Sequence, residues 1–317
     1  MKRFSLKVCL AAGALLLLDL AIVVGSIVAK QKAVDATFGV PDGTQVLFIG
    51  NSHTGCTFAE SPELKSRVVW KIRAGFAFNY VRFLELERRG TLDRGVKVCA
   101  IDCDASSFFG LRRDGILFDF SNSYPFAWRY LGAIPMSAPE LALEILLRPG
   151  SGGDVGQDAL SESPGTPNWA VRASRMSPAE LEAYLTSSVD GAAALAACDW
   201  DSGEVLPRDW REQVEAMALD MKARCERRGV RLILFAAPLA SQCPFRTNPV
   251  IWRQVTEMAA RLRARGIDYR DFRRACSDDQ FIDAHHLMRG PSAAFTKKFC
   301  EEALQTYDSQ LTTSSSL

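Results

Sequence analysis

Histidine is nearly missing from this chain, with three residues in 317. It is the usual general base at neutral pH, so acid-base chemistry has few places to sit. All three fall in two short segments, His53 in one and His285 and His286 in the other. An excess of charge is lacking too: the formal net charge is +1 and no long basic stretch occurs. That removes the electrostatic footprint of a nucleic-acid binder. No internal repeat is visible, which excludes solenoids and propellers. The nine cysteines contain no CxxC pair and no metal-ligand spacing. Several sit on apolar faces, where a buried thiol is the default. Pairing between some of them outside the cytoplasm stays open.

A long apolar run is present at one place. Val8 to Ala29 is apolar except for Asp19 and a few small residues, and its 22 residues suffice as a helix to cross a hydrocarbon core of about 30 Å. Lys2, Arg3 and Lys7 precede it, and Lys30 and Lys32 follow. The slight positive excess on the amino-terminal side predicts a single-pass anchor with the body of the protein outside the cytoplasm. A cleaved signal peptide, cut after Ile27-Val28-Ala29, is the alternative. Asp19 is costly in lipid, by roughly 3 kcal/mol. A tether over 31–44 contains the turn Pro41-Asp42-Gly43.

The body, 45–310, alternates short apolar runs with helical periodicity, as expected of a mostly parallel, doubly wound α/β sheet. Val46–Ile49 reads as a buried strand, Arg67–Arg89 as a helix (Ile72, Phe76, Phe83, Leu86), and Val96–Asp102 as the second strand. A helical insertion is expected over about 111–207, with capping boxes at Ser137-Ala138-Pro139-Glu140 and Ser177-Pro178-Ala179-Glu180 and a mobile loop at Ser151–Pro167. The rhythm returns with a helix over Arg208–Arg228, a strand over Arg231–Ala236, a helix from Asn248-Pro249 to about Arg265, and a strand over Ile267–Phe272. A last helix runs from Gly290-Pro291 to about Tyr307. The tail from 311 to 317 is expected to be disordered. In such sheets, reactive groups gather at the carboxyl ends of the strands.

Two segments belong to that edge. Gly50-Asn51-Ser52-His53 follows the first strand, and Asp283-Ala284-His285-His286 follows the last. Ser52 is the candidate nucleophile, activated by His286 as base, with Asp283 accepting the second ring proton. Gly50 would permit a close backbone turn, and the Ser52 amide would donate to an oxyanion. The competing reading of Asn51-Ser52 is a helix cap. His285 competes with His286 through an Asp-x-His reading. Asp278 and Asp279 read as loop or cap residues, and Pro238-Leu239-Ala240-Ser241 as part of a rim. A metal site from His53, His285, His286 and Asp283 fits no standard zinc spacing, so neither metal nor cofactor is expected.

Taken together, the two segments resemble the SGNH (GDSL-like) hydrolase superfamily. Gly50-Asn51-Ser52 matches its serine block. Asp283 to Thr296, with His286-Leu287, Gly290 and Phe295-Thr296, is similar to the ending of membrane-anchored members. The resemblance implies a flavodoxin-like sheet and a Ser52–His286–Asp283 triad. It implies an esterase or O-acyltransferase acting on ester groups of an envelope polysaccharide or lipid, alongside a membrane O-acyltransferase. It also implies an oxyanion hole, for which Gly75 and Asn79 are the candidates beside Ser52. Asn51 stands where the family usually has aspartate. Asp102-Cys103-Asp104 closes the second strand, where acidic groups would repel an oxyanion. His53 is assigned to packing or substrate contact, and His285 to substrate contact. The alternative is an inactive SGNH-like protein that binds carbohydrate or assists assembly.

Overall fold

The computed structural model describes residues 38–70, 75–109, 129–130, 210–241, 243–247 and 249–314, with isolated positions near the amino terminus. The expected anchor, the 111–207 insertion, its capping boxes and its mobile loop fall almost wholly outside these residues. Among the described residues, no helix is long and apolar enough to cross a membrane.

Five strands form one all-parallel sheet: β1 (Val46–Gly50), β2 (Ser66–Trp70), β3 (Val98–Asp102), β4 (Arg231–Ala236) and β5 (Asp268–Asp271). Their order is β2-β1-β3-β4-β5. The helices are α1 (Ser52–Thr57), α2 (Phe76–Arg88), α3 (Ala105–Phe109), α4 (Trp210–Glu226), α5 (Pro244–Thr247), α6 (Pro249–Ala264) and α7 (Arg289–Ser314).

Both faces of the sheet are covered, because successive strand residues point to opposite sides. Leu47 and Ile49 join Cys99, Ile101, Leu232 and Leu234 in a core with α2, α4 and α6. Val46 and Phe48 join Val98, Ala100, Ile233 and Phe235 in a second core with Phe58 and with Phe299, Cys300 and Ala303 of α7. Phe48 and Phe58 stack with ring centroids 3.9 Å apart. Gly229 and Gly266 follow α4 and α6 with φ of 65° and 71°. Glycine takes that left-handed turn at a helix end without strain.

One element differs from expectation. Residues 67–70, read as the start of a helix, belong to the edge strand β2, paired in parallel with β1 from Val46↔Ser66 to Gly50↔Trp70. The helix begins only at Phe76. Val68-Val69-Trp70 is a short β-branched and aromatic run, and the helical spacing of the residues after it masks a strand of this length. At the other end, α7 continues to Ser314. It thus passes Tyr307 and takes in the first residues of the expected tail.

A buried carboxylate ties α2 to the chain around Tyr130. Glu85 accepts hydrogen bonds from Arg88, Arg89 and the Tyr130 hydroxyl at 2.6 to 2.9 Å. Burial alone would raise its pKa, yet these donors bring it from 4.5 down to about 2. Its contribution to stability is therefore present above the ordinary carboxylate range and is lost as pH falls towards about 2. Glu85→Gln should cost about 1–3 kcal/mol at neutral pH. Denaturant unfolding of both proteins should show that gap closing as the medium is acidified to about pH 2.

Candidate active site

Parallel sheets of this order have a switch point between β1 and β3, where neighbouring strands continue in opposite directions and leave a crevice at their carboxyl ends. The segments that follow β1 and β3 both carry polar side chains into it. After Gly50, Asn51 caps α1, its Oδ1 accepting from the His53 amide at 2.8 Å. The capping reading of Asn51 therefore holds. Ser52 is the first residue of that helix. The Gly50 carbonyl accepts from the buried Arg82 guanidinium of α2 at 3.1 Å.

Glycine at 50 answers a need for space, not for a special backbone angle. A Cβ there would lie 1.8 Å from Thr54 Oγ1 and 2.8 Å from Asp102 Cβ. Gly55, within α1, is also tight, because a Cβ would meet the Trp70 ring at 2.4 Å.

The second segment is closed on itself. Phe281 and Leu287 form an antiparallel bridge, and the Ile282 amide donates to the His286 carbonyl at 2.8 Å. The Ala240 amide, beyond β4, donates to the Ala284 carbonyl at 3.0 Å and holds the loop against the sheet edge. Phe281, Leu287 and Ala240 make its apolar underside. Asp283 Oδ1 accepts from the His285 and His286 amides at 2.9 and 2.8 Å. Such an Asx turn lets aspartate shape its own loop. Asp283 Oδ2 meets His286 Nδ1 at 2.6 Å. His285 Nδ1 lies farther, 3.8 Å from Asp283 Oδ1. The Asp-x-x-His pairing, not Asp-x-His, is the hydrogen-bonded one.

Thr296 links the two segments. Buried in α7, it accepts from the Ala59 amide at 2.8 Å and donates to the Ser292 carbonyl at 2.7 Å. Phe295 packs beside it on Phe58, at 5.6 Å between ring centroids. The Phe-Thr pair thereby docks the last helix against the chain leaving α1.

All three histidines meet here. His53 lies 4.7 Å from His285 and 5.6 Å from His286 between ring centroids, and the latter two are 4.0 Å apart. His53 has a partner that the sequence did not suggest: its Nδ1 lies 3.2 Å from Asp104 Oδ2, just past β3. Asp104 also caps the following turn, accepting from the Ser107 amide at 3.0 Å. Asp102 is fully buried and accepts from Thr54 Oγ1 at 3.2 Å. Burial, and then the charge of Asp104, raise its pKa well above the carboxylate range. Asp102 and Asp104 each turn a carboxylate oxygen onto a neighbour, Thr54 Oγ1 and His53 Nδ1.

Electrostatics set the state of the Asp283–His286 pair. Burial works to raise the Asp283 pKa, but the hydrogen bond and charge of His286, with His285 behind it, hold the group well below its usual range. Burial lowers His286 despite Asp283, and it lowers His285 further with the help of the neighbouring imidazoles. Neutral imidazole beside an ionised carboxylate is the state a general base requires.

The oxyanion candidates Gly75 and Asn79 lie at the start of α2. Gly75 is the cap of α2, with its carbonyl taken by the amides of Phe78 and Asn79. The Asn79 side-chain amide donates to the Asp102 carbonyl at 3.4 Å, so it reaches the strand edge but is engaged there. No hydrogen bond between Ser52 Oγ and His286 occurs among those of the described residues. Ser241, in the expected rim, donates to Asp278 through its amide and its hydroxyl. Asp278 and Asp279 sit in a 3-10 turn with a capping box from Ser277 and Gln280, as loop residues should.

Comparison of the chain with known protein families, with curated proteins and with solved structures finds no match. A cavity of about 420 Å³ lies at the opposite edge, between Lys222, Arg231, Asp268 and Tyr307. It contains no serine, histidine or cysteine. Its charged groups are engaged in the Lys222–Glu226 pair and the half-buried Arg231–Asp268 pair.

Proposed function

We propose that this chain is an SGNH-type serine esterase or O-acyltransferase, held at a membrane by its amino-terminal apolar segment, with the α/β body outside the cytoplasm. The observation that carries this reading is the 2.6 Å Asp283–His286 hydrogen bond, at the same sheet edge as Ser52, which follows β1. In the reaction, Ser52 Oγ attacks the carbonyl carbon of an ester while His286 Nε2 takes the hydroxyl proton. The proton then goes to the departing alcohol oxygen as the acyl-enzyme forms. Water, or a sugar hydroxyl in transfer, attacks the acyl-enzyme with His286 again as base. Asp283 keeps the proton on Nδ1 and stabilises the imidazolium that forms twice per cycle. The substrate class that fits the resemblance is an O-acylated envelope polysaccharide or lipid, handled beside a membrane O-acyltransferase.

A second reading, a non-catalytic module that binds carbohydrate or assists assembly, is favoured by two observations. Ser52 Oγ and His286 share no hydrogen bond among those of the described residues, and the Asn79 side-chain amide already donates to the Asp102 carbonyl at 3.4 Å. Treating the purified chain with a fluorophosphonate probe separates the two. Covalent labelling that Ser52→Ala and His286→Ala each remove supports the enzyme. A folded parent that does not label supports the module.

A further inference from the structure

The three histidines form a cluster whose chemistry the serine mechanism does not exhaust. Each offers a ring nitrogen, and these atoms lie within 4.8 Å of one another. Around a tetrahedral Zn²⁺, with Zn–N of about 2.0–2.1 Å, the nitrogens would stand about 3.4 Å apart. Small side-chain rotations of neighbouring rings span that difference. Sequence spacing argued against such a site, since His53 lies far from the other two along the chain. The match to zinc motifs is judged by spacing, whereas a site is made in space.

The surroundings resemble those of metal ligands more closely than three tilted neighbouring rings require. A metal-bound imidazole usually gives its other ring proton to a carboxylate, which fixes the tautomer and orients the ring. Two of the three do so here: His53 Nδ1 on Asp104 at 3.2 Å and His286 Nδ1 on Asp283 at 2.6 Å. His285 Nδ1 faces the same Asp283 from 3.8 Å. Protons on Nδ1 leave the lone pairs on Nε2. Asp104 and Asp283 also bring two buried negative charges next to the rings, enough to balance a divalent cation. His53 is buried, and His285 and His286 are partly open, so a fourth position would be left for water or an anion.

We propose that His53, His285 and His286 form a three-histidine site for a borderline-soft divalent cation, Zn²⁺ or Co²⁺, and that its occupancy silences the serine site. Imidazole donors suit these ions, in preference to Mg²⁺ or Ca²⁺, which want oxygen. The silencing follows because the metal takes the Nε2 lone pair that must receive the Ser52 proton. That second clause rests on the esterase reading, whereas the metal site does not.

The test uses the purified full chain, stripped with a chelator and titrated with CoCl₂. One equivalent of Co²⁺ should bind and give the intense visible bands of tetrahedral coordination, with no thiolate-to-cobalt charge transfer. His53→Ala and His285→Ala should each weaken binding by more than about 100-fold, and Asp104→Asn by about 10- to 100-fold. Ser52→Ala should bind as the parent does. Circular dichroism of each variant shows whether it has folded. If His53→Ala does not fold, His285→Ala carries the decision. Absence of saturable binding, a thiolate band, or binding unchanged in folded His285→Ala would overturn the site. Fluorophosphonate labelling with and without saturating ZnCl₂ then addresses the second clause. Suppression that a chelator reverses supports it, and equal labelling in both overturns it. If the parent never labels, the esterase reading fails while the cobalt titration still decides the metal site.

Discussion

Replacing Asp283 by asparagine should slow fluorophosphonate labelling by about 10⁴-fold while leaving the fold in place. Asparagine keeps a carbonyl oxygen where Oδ1 now accepts from the His285 and His286 amides, so the Asx turn survives. The other carboxylate oxygen becomes an NH₂ group facing His286 Nδ1, which stands 2.6 Å away. Two donors cannot share that contact. The imidazole must move its proton to Nε2, and the lone pair that would accept the Ser52 proton disappears. Charge is lost as well, and with it the stabilisation of the imidazolium. Alanine at 283 is a poorer probe, because it also removes the acceptor on which the loop turns. The measurements are labelling rates and unfolding curves for parent and Asp283→Asn. A variant with native stability that labels within about tenfold of the parent would remove the pair from the mechanism.

The parts of this site that were legible in the sequence are those whose geometry is local. Asp283 and His286 are three residues apart, and one Asx turn brings them together whatever the rest of the chain does. Ser52 was legible because an apolar run closed by glycine marks a parallel strand, and parallel sheets expose their reactive groups where strands end. The β/α rhythm from Arg231 onward was legible for the same reason. Long-range pairings were not. His53 and Asp104 meet only because β1 and β3 are neighbours in register, Val46 beside Val98, and sequence order does not announce which strands adjoin. Reading Asp102-Cys103-Asp104 as a pair of acids did not foresee that Asp102 would accept from Thr54 and that Asp104 would face an imidazole. The edge strand β2 was hidden by its shortness and by the helical spacing that follows it.

Gly50→Ala should destabilise the protein by about 3–5 kcal/mol, a large part of the 5–15 kcal/mol typical of a folded domain. The added Cβ would stand 1.8 Å from Thr54 Oγ1, 2.6 Å from Thr54 Cβ and 2.8 Å from Asp102 Cβ. These neighbours have nowhere to go: Thr54 and Asp102 are fully buried and hydrogen-bonded to each other. Relief requires lifting α1 away from β3, which strands the buried Asp102 carboxyl and shifts Ser52 and His53 together. Trimming Thr54 to alanine should not rescue the variant, since the contacts with its Cβ and with Asp102 Cβ remain. Gly290→Ala is the matched control. A Cβ at 290 meets nothing within 4 Å, so its effect should stay within about 0.5 kcal/mol. Denaturant midpoints for the three variants are the measurement. A Gly50→Ala protein as stable as Gly290→Ala would mean that the strand-to-helix turn after β1 is looser than these contacts require, and a nucleophile on so loose a turn would lack the fixed approach that the serine mechanism needs.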